Sequence, residues 1–295
     1  MSDHRILKVL VPVDLGHSSE AALRYAQMLV SRLDAQLTVM YVNDALTLQS
    51  YDQIYTGYRD LPVEQEVMME DAVRSYARPH LGSTPFDVVV VADDTSRAIA
   101  TAAERLDMSL IVTGTHGRHG WKRLVDGSIN ESILHATQRP VISVPQDADI
   151  GTMSNILCPV NFTDAARRGA RAACWAARAV GAKLNVLHVI EVEIAHSALT
   201  GVRDAIRDWI EPVLEGECEI RQIITSHGVA AERILEYADD IRAQTLVLGA
   251  KHEGRTHARA TMGTTVERIL HSAKLPVMSV VAPWMFGRPQ IDHAA

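Results

Sequence analysis

The stretch ILKVLVPVD, residues 6–14, decides the fold because a version of it occurs twice in the chain. Its second form is NILCPVN, residues 155–161, which places the equivalent of Pro12 147 positions further on. Both stretches are short apolar runs that end in a polar residue, Asp14 in the first and Asn161 in the second. Such a run is typical of a buried β-strand, so each stretch marks the start of a structural repeat.

Two further pairs of matching segments extend the repeat along both halves of the chain. LIVTG at 110–114 matches TLVLG at 245–249, and RPVISV at 139–144 matches LPVMSV at 275–280. Because these pairs are 135 and 136 positions apart, the second copy is about 12 residues shorter than the first. The extra residues of the first copy, around 44–60, are interpreted as a surface loop or, alternatively, as a lid or contact surface.

Within the first copy, short apolar runs alternate with segments of helical period, which predicts the order (βα)4β. Strands that are apolar on both faces and separated by helices indicate a parallel sheet covered on both sides. We therefore predict an α/β fold of two tandem Rossmann-like, doubly wound domains, each with a five-stranded parallel sheet flanked by helices. The predicted strands are 6–13, 36–42, 86–92, 109–113 and 140–144, and the predicted helices are 18–33, 63–80, 97–106 and 128–136.

The length of 295 residues suits two domains. The predicted domains are residues 1–147 and 153–282, followed by a tail at 283–295. A polar segment around 145–154 joins the two domains. We expect the two copies to pack as an intrachain pseudo-dimer, because their apolar outer strands would otherwise expose pairing edges.

The charge distribution argues against nucleic acid as a partner. The net charge is −7, and residues 1–150 account for all of it, with 13 Lys and Arg against 20 Asp and Glu. Neither half carries the basic footprint that duplex binding uses. The longest apolar runs, such as 88–92, fall short of the roughly 18 residues that span a membrane. The first residues also lack the pattern of a secretory signal, so a cytoplasmic location is expected.

Several residue types that often mark chemistry have a simpler interpretation here. Cys158, Cys174 and Cys218 show no CxxC spacing and are interpreted as core hydrophobes. The acids Asp93 and Asp94 precede a predicted helix and fit its positive end better than they fit a metal. The histidines show no HxH or HExxH spacing, so no metal site is expected.

Two features of the first copy converge where ligands bind parallel sheets, beyond the carboxyl ends of the strands. One is Pro12-Val13-Asp14 at the end of strand one. The other is a glycine-rich segment, Gly114-x2-Gly117-x9-Gly127-Ser128, with basic residues between its glycines. Glycines at the loop would allow left-handed or tight turns and bring amide groups near an anion. The strand end and the glycine-rich segment together suit a polyphosphate ligand. The alternative is that the glycines form ordinary turns around a helix cap and that Asp14 bonds only local backbone.

The glycine pattern, the strand end and the tandem repeat together resemble the universal stress protein family, in the form with two domains in one chain. The resemblance covers about residues 5–145 and 153–282, and the glycine pattern is the one that ATP-binding members carry. It implies that Asp14 and Val42 lie near adenine and ribose and that the glycine-rich segment lines the phosphates. The expected ATP-binding residues are Pro12, Val13, Asp14, Val42, Thr113, Gly114, His116, Gly117, Arg118, Gly127, Ser128 and Ile129.

The second copy departs from this pattern. Asn161 replaces the acidic residue, and Gly249 is followed by Ala250-Lys251-His252, without the second loop glycine. The distance from Gly249 to Gly263 is 14 positions, whereas the first copy has 13 between Gly114 and Gly127. A shifted phosphate loop predicts an altered or empty second site.

The resemblance implies a regulatory stress-response protein that holds ATP, with or without Mg²⁺, in its N-terminal domain. Two alternatives stay open at this point. One is a nucleotide hydrolase or nucleotidyl-transferring enzyme on the same fold, although no nucleophile and base pair stands out. The other is a protein-binding module that uses no nucleotide. The expected partner is an adenine nucleotide; protein partners are undefined, and a homodimer of two chains is compatible with the sequence.

Overall fold

The computed structural model of the chain describes residues 6–43, 63–115, 133–134, 136–192, 199–214, 216, 218–251 and 264–282. These residues form two compact units that divide between Ala148 and Asp149, called here the N-terminal unit and the C-terminal unit. Each unit has the same α/β architecture. Among the described residues, no helix is both long and apolar enough to cross a membrane.

The N-terminal unit is a parallel sheet in the order β3-β2-β1-β4-β5. The connections from β1 to β2 and from β3 to β4 run in opposite directions along the sheet, so the strand order reverses between β1 and β4. Its elements are β1 (Lys8–Val13), α1 (His17–Leu33), β2 (Gln36–Val42), α2 (Val63–Leu81), β3 (Asp87–Val91), α3 (Thr95–Arg105), β4 (Leu110–Thr115) and β5 (Val141–Pro145).

The C-terminal unit repeats this topology with five parallel strands in the order β10-β9-β6-β7-β8. The repeat therefore exists in three dimensions as two sets of five strands with the same connectivity. Its elements are β6 (Asn155–Pro159), α4 (Asp164–Val180), β7 (Lys183–Ile190), α5 (Leu199–Leu214), β8 (Ile220–His227), α6 (Ala230–Asp240), β9 (Thr245–Gly249), α7 (Thr264–Ser272) and β10 (Val277–Val280).

The central strands are buried on both faces, as the continuous apolar runs predict. Val9, Leu10 and Val11 of β1 are fully buried, and Ile156, Leu157 and Cys158 of β6 are buried in the same way. Helix α1 turns its alanine-rich face inward, with Ala21, Ala22 and Ala26 fully buried. Small side chains let this helix lie close to the sheet, which positions its first turn at the carboxyl ends of the strands.

The predicted elements of the first copy agree with the structure to within two residues at each boundary, apart from the helix predicted at 128–136. Only its end lies within the described residues, where 133–134 and 136–137 are helical. The predicted helix at 18–33 begins one residue earlier, at His17, with Gly16 as its N-cap and no side-chain cap bond. Ser18, in its first turn, donates its hydroxyl to Asp14.

Candidate functional site

The candidate site is the carboxyl edge of β2, β1 and β4 in the N-terminal unit. Val13 pairs with Tyr41 at the end of β1 and β2, so Asp14 and Val42 are the next residues along these neighbouring strands. On its other side β1 pairs with β4. This edge is where the strand order reverses, the position at which open α/β sheets bind ligands.

Asp14 is exposed, and its carboxylate organises the turn that leads into α1. Its Oδ1 accepts hydrogen bonds from the Gly16 amide at 2.9 Å and the Ser19 hydroxyl at 2.6 Å. Its Oδ2 accepts from the Ser18 hydroxyl at 3.1 Å. Between them, Leu15 has a left-handed φ of 58°, which turns the chain sharply from strand to helix. The local bonds that the alternative interpretation expected are therefore present, and the carboxylate still faces solvent.

Tyr76 of α2 is a member of this edge that the sequence motifs did not single out. Its hydroxyl donates to the Gly16 carbonyl at 2.6 Å. Burial, followed by the negative charges of Asp14 and Glu20, raises the pKa of Tyr76 to about 12. The tyrosine therefore stays protonated and remains a hydrogen-bond donor at neutral pH. Only the hydrogen bond to Gly16 shows that Tyr76 belongs to this edge, because a single tyrosine on a helix forms no sequence motif.

Pro12 and Val13 lie beneath the surface of the edge. Val13 is buried, and Pro12 is half-buried opposite Met40 of β2. Val42 is half-buried at the end of β2, which leaves an apolar side chain at the rim beside Asp14. A half-buried valine next to an exposed carboxylate offers one apolar and one polar contact surface.

At β4 the structure gives a packing reason for Gly114. A Cβ at this position would overlap the backbone carbonyl of Ser18, in the first turn of α1. Gly114 lies within the strand, and among the described residues it is not one of the glycines with positive φ, so close approach of α1 explains it better than the left-handed turn expected from sequence. The neighbouring Thr113 is buried, and its hydroxyl donates to the Ile142 carbonyl at 3.4 Å.

The remaining predicted site residues lie outside the described part of the chain. They are His116, Gly117, Arg118, Gly127, Ser128 and Ile129. The described structure therefore brings together the strand-end half of the predicted site: Pro12, Val13, Asp14, Val42, Thr113 and Gly114.

The same edge of the C-terminal unit has the same backbone and different side chains. Phe162 occupies the position of Leu15 and has the matching left-handed φ of 61°. Thr163 caps α4 by accepting from the Ala166 amide at 3.2 Å. Its hydroxyl donates to Asn161 Oδ1 at 2.7 Å, so the residue equivalent to Asp14 bonds a threonine here rather than two serines.

An aromatic cluster lies at this second edge. We define it as Phe162, His188 and Trp209, with the Arg167 guanidinium over the Trp209 ring. The Phe162 ring lies 5.1 Å from the ring of His188 and 5.6 Å from the ring of Trp209, both edge to face. The Arg167 guanidinium lies 5.0 Å from the centre of the Trp209 ring. Trp209 sits on α5 three residues before Pro212, as Tyr76 sits on α2 three residues before Pro79, so the aromatic cluster replaces the tyrosine contact.

A second substitution places a cation at the end of β9. Arg168 is the residue of α4 that corresponds to the buried Ala21 of α1. Its Nη2 donates to the Ala250 carbonyl at 3.2 Å, directly after β9. Its Nε is buried and has no hydrogen-bond partner among the described residues. The space at the start of this loop is therefore occupied by a side chain of the protein.

The comparison with known proteins identifies the family. The model of the universal stress protein family matches residues 6–145 and 153–280, which together make up most of the chain. The chain belongs to the universal stress protein family. Universal stress protein A homolog 1 of Coxiella burnetii is 28% identical over 143 residues, covering 46% of this chain and 94% of that protein.

Solved universal stress proteins align with almost the whole length of this chain. One from Archaeoglobus fulgidus superposes with a TM-score of 0.68 at 20% identity, over 93% of this chain and 98% of its own. A putative universal stress protein from Pseudomonas aeruginosa gives a TM-score of 0.63 at 16% identity, over 94% of both chains. At these identities the superpositions establish the fold.

In this universal stress protein the acids before α3 act as helix residues. Asp94 is the N-cap, and its carboxylate accepts from the Arg97 amide at 3.0 Å. Asp93 is buried and forms an ion pair with the Arg97 guanidinium, which raises the pKa of that arginine. Within the described ranges, no cluster of three or more His, Cys, Asp or Glu residues could hold a metal ion.

Proposed function

We propose that this universal stress protein is a regulatory protein of the stress response that binds ATP, with or without Mg²⁺, in its N-terminal unit. The proposal is supported by an exposed carboxylate and a half-buried apolar side chain at the end of β1 and β2. They lie where the strand order reverses, the usual position of nucleotides on open α/β sheets.

Asp14 and Val42 suit the adenosine part of the ligand. A carboxylate offers about four acceptor positions, so a ribose hydroxyl could take the place of the Ser18 hydroxyl on Oδ2, which is the longer of the two serine bonds. Val42 would contact the base through its apolar side chain. The segment from Gly114 to Ile129 would bind the phosphates through its amides and Ser128. Binding of ATP would bias the conformation of the unit.

The observation that carries the proposal is the difference between the two edges. In the N-terminal unit the residue after β1 is an exposed carboxylate. In the C-terminal unit the corresponding region is occupied by Phe162, which packs on Trp209, and by Arg168, which bonds the carbonyl that begins the loop. We therefore assign the nucleotide to the N-terminal unit alone.

Asp14→Asn tests this assignment, because it imitates the residue at 161. Asparagine keeps an oxygen for the Gly16 amide and removes the charge, so thermal stability of the unliganded protein should change little. A lost hydrogen bond to a charged acceptor costs about 1.5 to 3 kcal/mol, so ATP affinity measured by calorimetry should fall roughly ten- to a hundredfold.

The matched control is Asn161→Asp, which should leave ATP affinity unchanged. If Asp14→Asn unfolds the unit while ATP affinity per folded molecule is unaffected, Asp14 is purely structural and this site assignment is wrong. An assay of phosphate release by the same proteins separates a regulatory protein from a hydrolase. Absence of ATP binding to the parent protein would favour a module that uses no nucleotide.

A further inference from the structure

Tyr76 connects α2 to the turn that carries Asp14, across 60 positions of sequence. Helix α2 packs beside α1, and the ring of Tyr76 lies 5.8 Å from the ring of His80, one helical turn further along α2. From this half-buried position, the Tyr76 hydroxyl donates to the Gly16 carbonyl at 2.6 Å. The helix that follows β2 therefore makes a direct hydrogen bond to the turn that follows β1.

Gly16 lies at the centre of the hydrogen bonds that hold the Asp14 carboxylate. Its amide donates to Asp14 Oδ1 at 2.9 Å, and its carbonyl accepts from the Ser19 amide at 3.1 Å. The Ser19 hydroxyl donates to the same Oδ1 at 2.6 Å and accepts from the Asp14 amide at 3.0 Å. Tyr76 therefore bonds the residue whose amide bonds the carboxylate, so the position of Gly16 determines the position of a donor to Oδ1.

The C-terminal unit forms the same turn without a tyrosine. The left-handed residue has a φ of 58° in the first unit and 61° in the second, where it is Phe162. Helix α5 presents Trp209 there, and its ring packs on the ring of Phe162 at 5.6 Å. Thr163 bonds Asn161 through its own hydroxyl at 2.7 Å. The turn itself therefore needs no hydroxyl from the neighbouring helix, and Tyr76 occurs in the unit whose first strand is followed by a carboxylate.

We propose that Tyr76 is a positioning residue of the nucleotide site, whose hydrogen bond to Gly16 holds the Asp14 carboxylate in the orientation that receives the ligand. The inference rests on the proposed function, because it takes Asp14 as the acceptor for the adenosine part of ATP. Tyr76 acts through Gly16 and Asp14, and its own hydroxyl is already bonded to the protein. Its effect on the ligand should therefore disappear when the carboxylate is removed.

The physical basis of this role is preorganisation of the carboxylate. Gly16 and Ser19 hold Oδ1, so the carboxylate is oriented before a ribose hydroxyl replaces Ser18 on Oδ2. If the Gly16 turn were loose, the carboxylate could rotate, and ligand binding would have to order it at a cost in affinity. The Tyr76 hydroxyl removes part of that cost in advance.

The test is a double-mutant cycle on the full-length protein, with ATP affinity measured by calorimetry. Tyr76→Phe removes the hydroxyl and keeps the ring, so ATP affinity should fall roughly two- to tenfold. In the Asp14→Ala background the same change should alter ATP affinity by less than about twofold, because the carboxylate that Tyr76 positions is absent. The matched control is Tyr237→Phe, which removes a hydroxyl bonded by Gln222 at 2.6 Å in the C-terminal unit and should leave ATP affinity unchanged.

Amide hydrogen exchange of the unliganded proteins gives a second measurement that uses no nucleotide. The Gly16 amide should exchange several-fold faster in Tyr76→Phe than in the parent protein, and at the parent rate in Tyr237→Phe. The proposal is overturned if Tyr76→Phe binds ATP as tightly as the parent protein, if it lowers affinity by the same factor with and without the Asp14 carboxylate, or if Tyr237→Phe lowers affinity equally.

An unchanged exchange rate of the Gly16 amide in Tyr76→Phe would overturn the proposal as well. If the parent protein binds no ATP, the proposed function fails, and the exchange rate alone decides whether Tyr76 holds the turn at Asp14.

Discussion

The two units use one backbone design and fill it with different side chains at the turn after the first strand. Leu15 and Phe162 have almost the same left-handed φ, 58° and 61°. Around Leu15 the contacts are polar, with Asp14 and Tyr76 bonded to the turn. Around Phe162 they are aromatic. The turn is therefore maintained by packing, whereas the ability to receive a ligand depends on the side chains at the turn.

The largest expected effect concerns a contact that the two units share, between a strand glycine and the first turn of a helix. A Cβ at Gly114 would overlap the Ser18 carbonyl, and a Cβ at Gly249 would overlap the Ala165 carbonyl. Overpacking costs about 1 to 3 kcal/mol and sometimes more, and here the obstacle is backbone that cannot rotate away. Gly114→Ala and Gly249→Ala should each lower the free energy of unfolding by about 3 kcal/mol or more, measured by urea denaturation.

Gly201→Ala is the control for that pair, since a Cβ there meets no atom within 4 Å and lies inside α5. It should be neutral or slightly stabilising. If Gly114→Ala were as mild as Gly201→Ala while ATP binding vanished, Gly114 would serve the ligand and not the contact with α1.

The next effect tests the aromatic cluster. Phe162→Ala removes two ring contacts, each worth about 0.5 to 1.5 kcal/mol beyond burial. We expect the C-terminal unit to lose about 1 to 3 kcal/mol, with a shift in Trp209 fluorescence. Leu15→Ala is the matched change in the N-terminal unit and should cost less, because Leu15 has no such ring partners among the contacts described. Equal costs for the two changes would mean that the aromatic contacts add nothing to stability.

A smaller effect is expected at the helix that follows the third strand of each unit, which is capped in two different ways. Asp94 caps α3 from the adjacent position, whereas the α6 amide of Ala230 is bonded by Glu191, beyond the end of β7, at 3.2 Å. Loss of a cap costs about 1 kcal/mol, so Asp94→Ala and Glu191→Ala should each destabilise their own unit by that amount in urea denaturation. A cost confined to Asp94→Ala would show that the distant carboxylate is not a cap.

The smallest effect concerns Tyr76. Tyr76→Phe removes the hydrogen bond to Gly16 and should cost about 0.5 to 1.5 kcal/mol. The folded state raises the pKa of Tyr76 to about 12 from 10.0, so it binds this proton more tightly than the unfolded state does. The stabilisation is therefore complete below about pH 9 and lost as pH rises from about 10 to 12.

Urea denaturation at several alkaline pH values provides the measurement. The parent protein should lose stability more steeply across that range than Tyr76→Phe does. Parallel curves for the two proteins would show that the tyrosine proton is not linked to folding.

The fold could be predicted from sequence because its signal is repeated and local. The apolar run at 6–14 and its copy at 155–161 indicate buried parallel strands without any knowledge of long-range contacts. The Gly114 contact with Ser18 could not be predicted in the same way, because it joins residues almost a hundred positions apart. Sequence offered a phosphate loop as the reason for that glycine, whereas the described structure supplies a contact between helix and strand.

The candidate site was only partly predictable for a related reason. Asp14 follows β1 and Val42 ends the adjacent β2, so the topology alone brings them together. Tyr76 and Trp209 lie on helices, where their contacts depend on the angle at which each helix meets the turn.

The most direct test of the central claim is a calorimetric titration of the full-length protein with ATP. We expect one molecule of ATP per chain, because only the N-terminal unit has the exposed carboxylate and the intact glycine pattern. Two equal sites per chain would contradict it, as would a single site that survives Asp14→Asn and disappears when Phe162 or Arg168 is replaced.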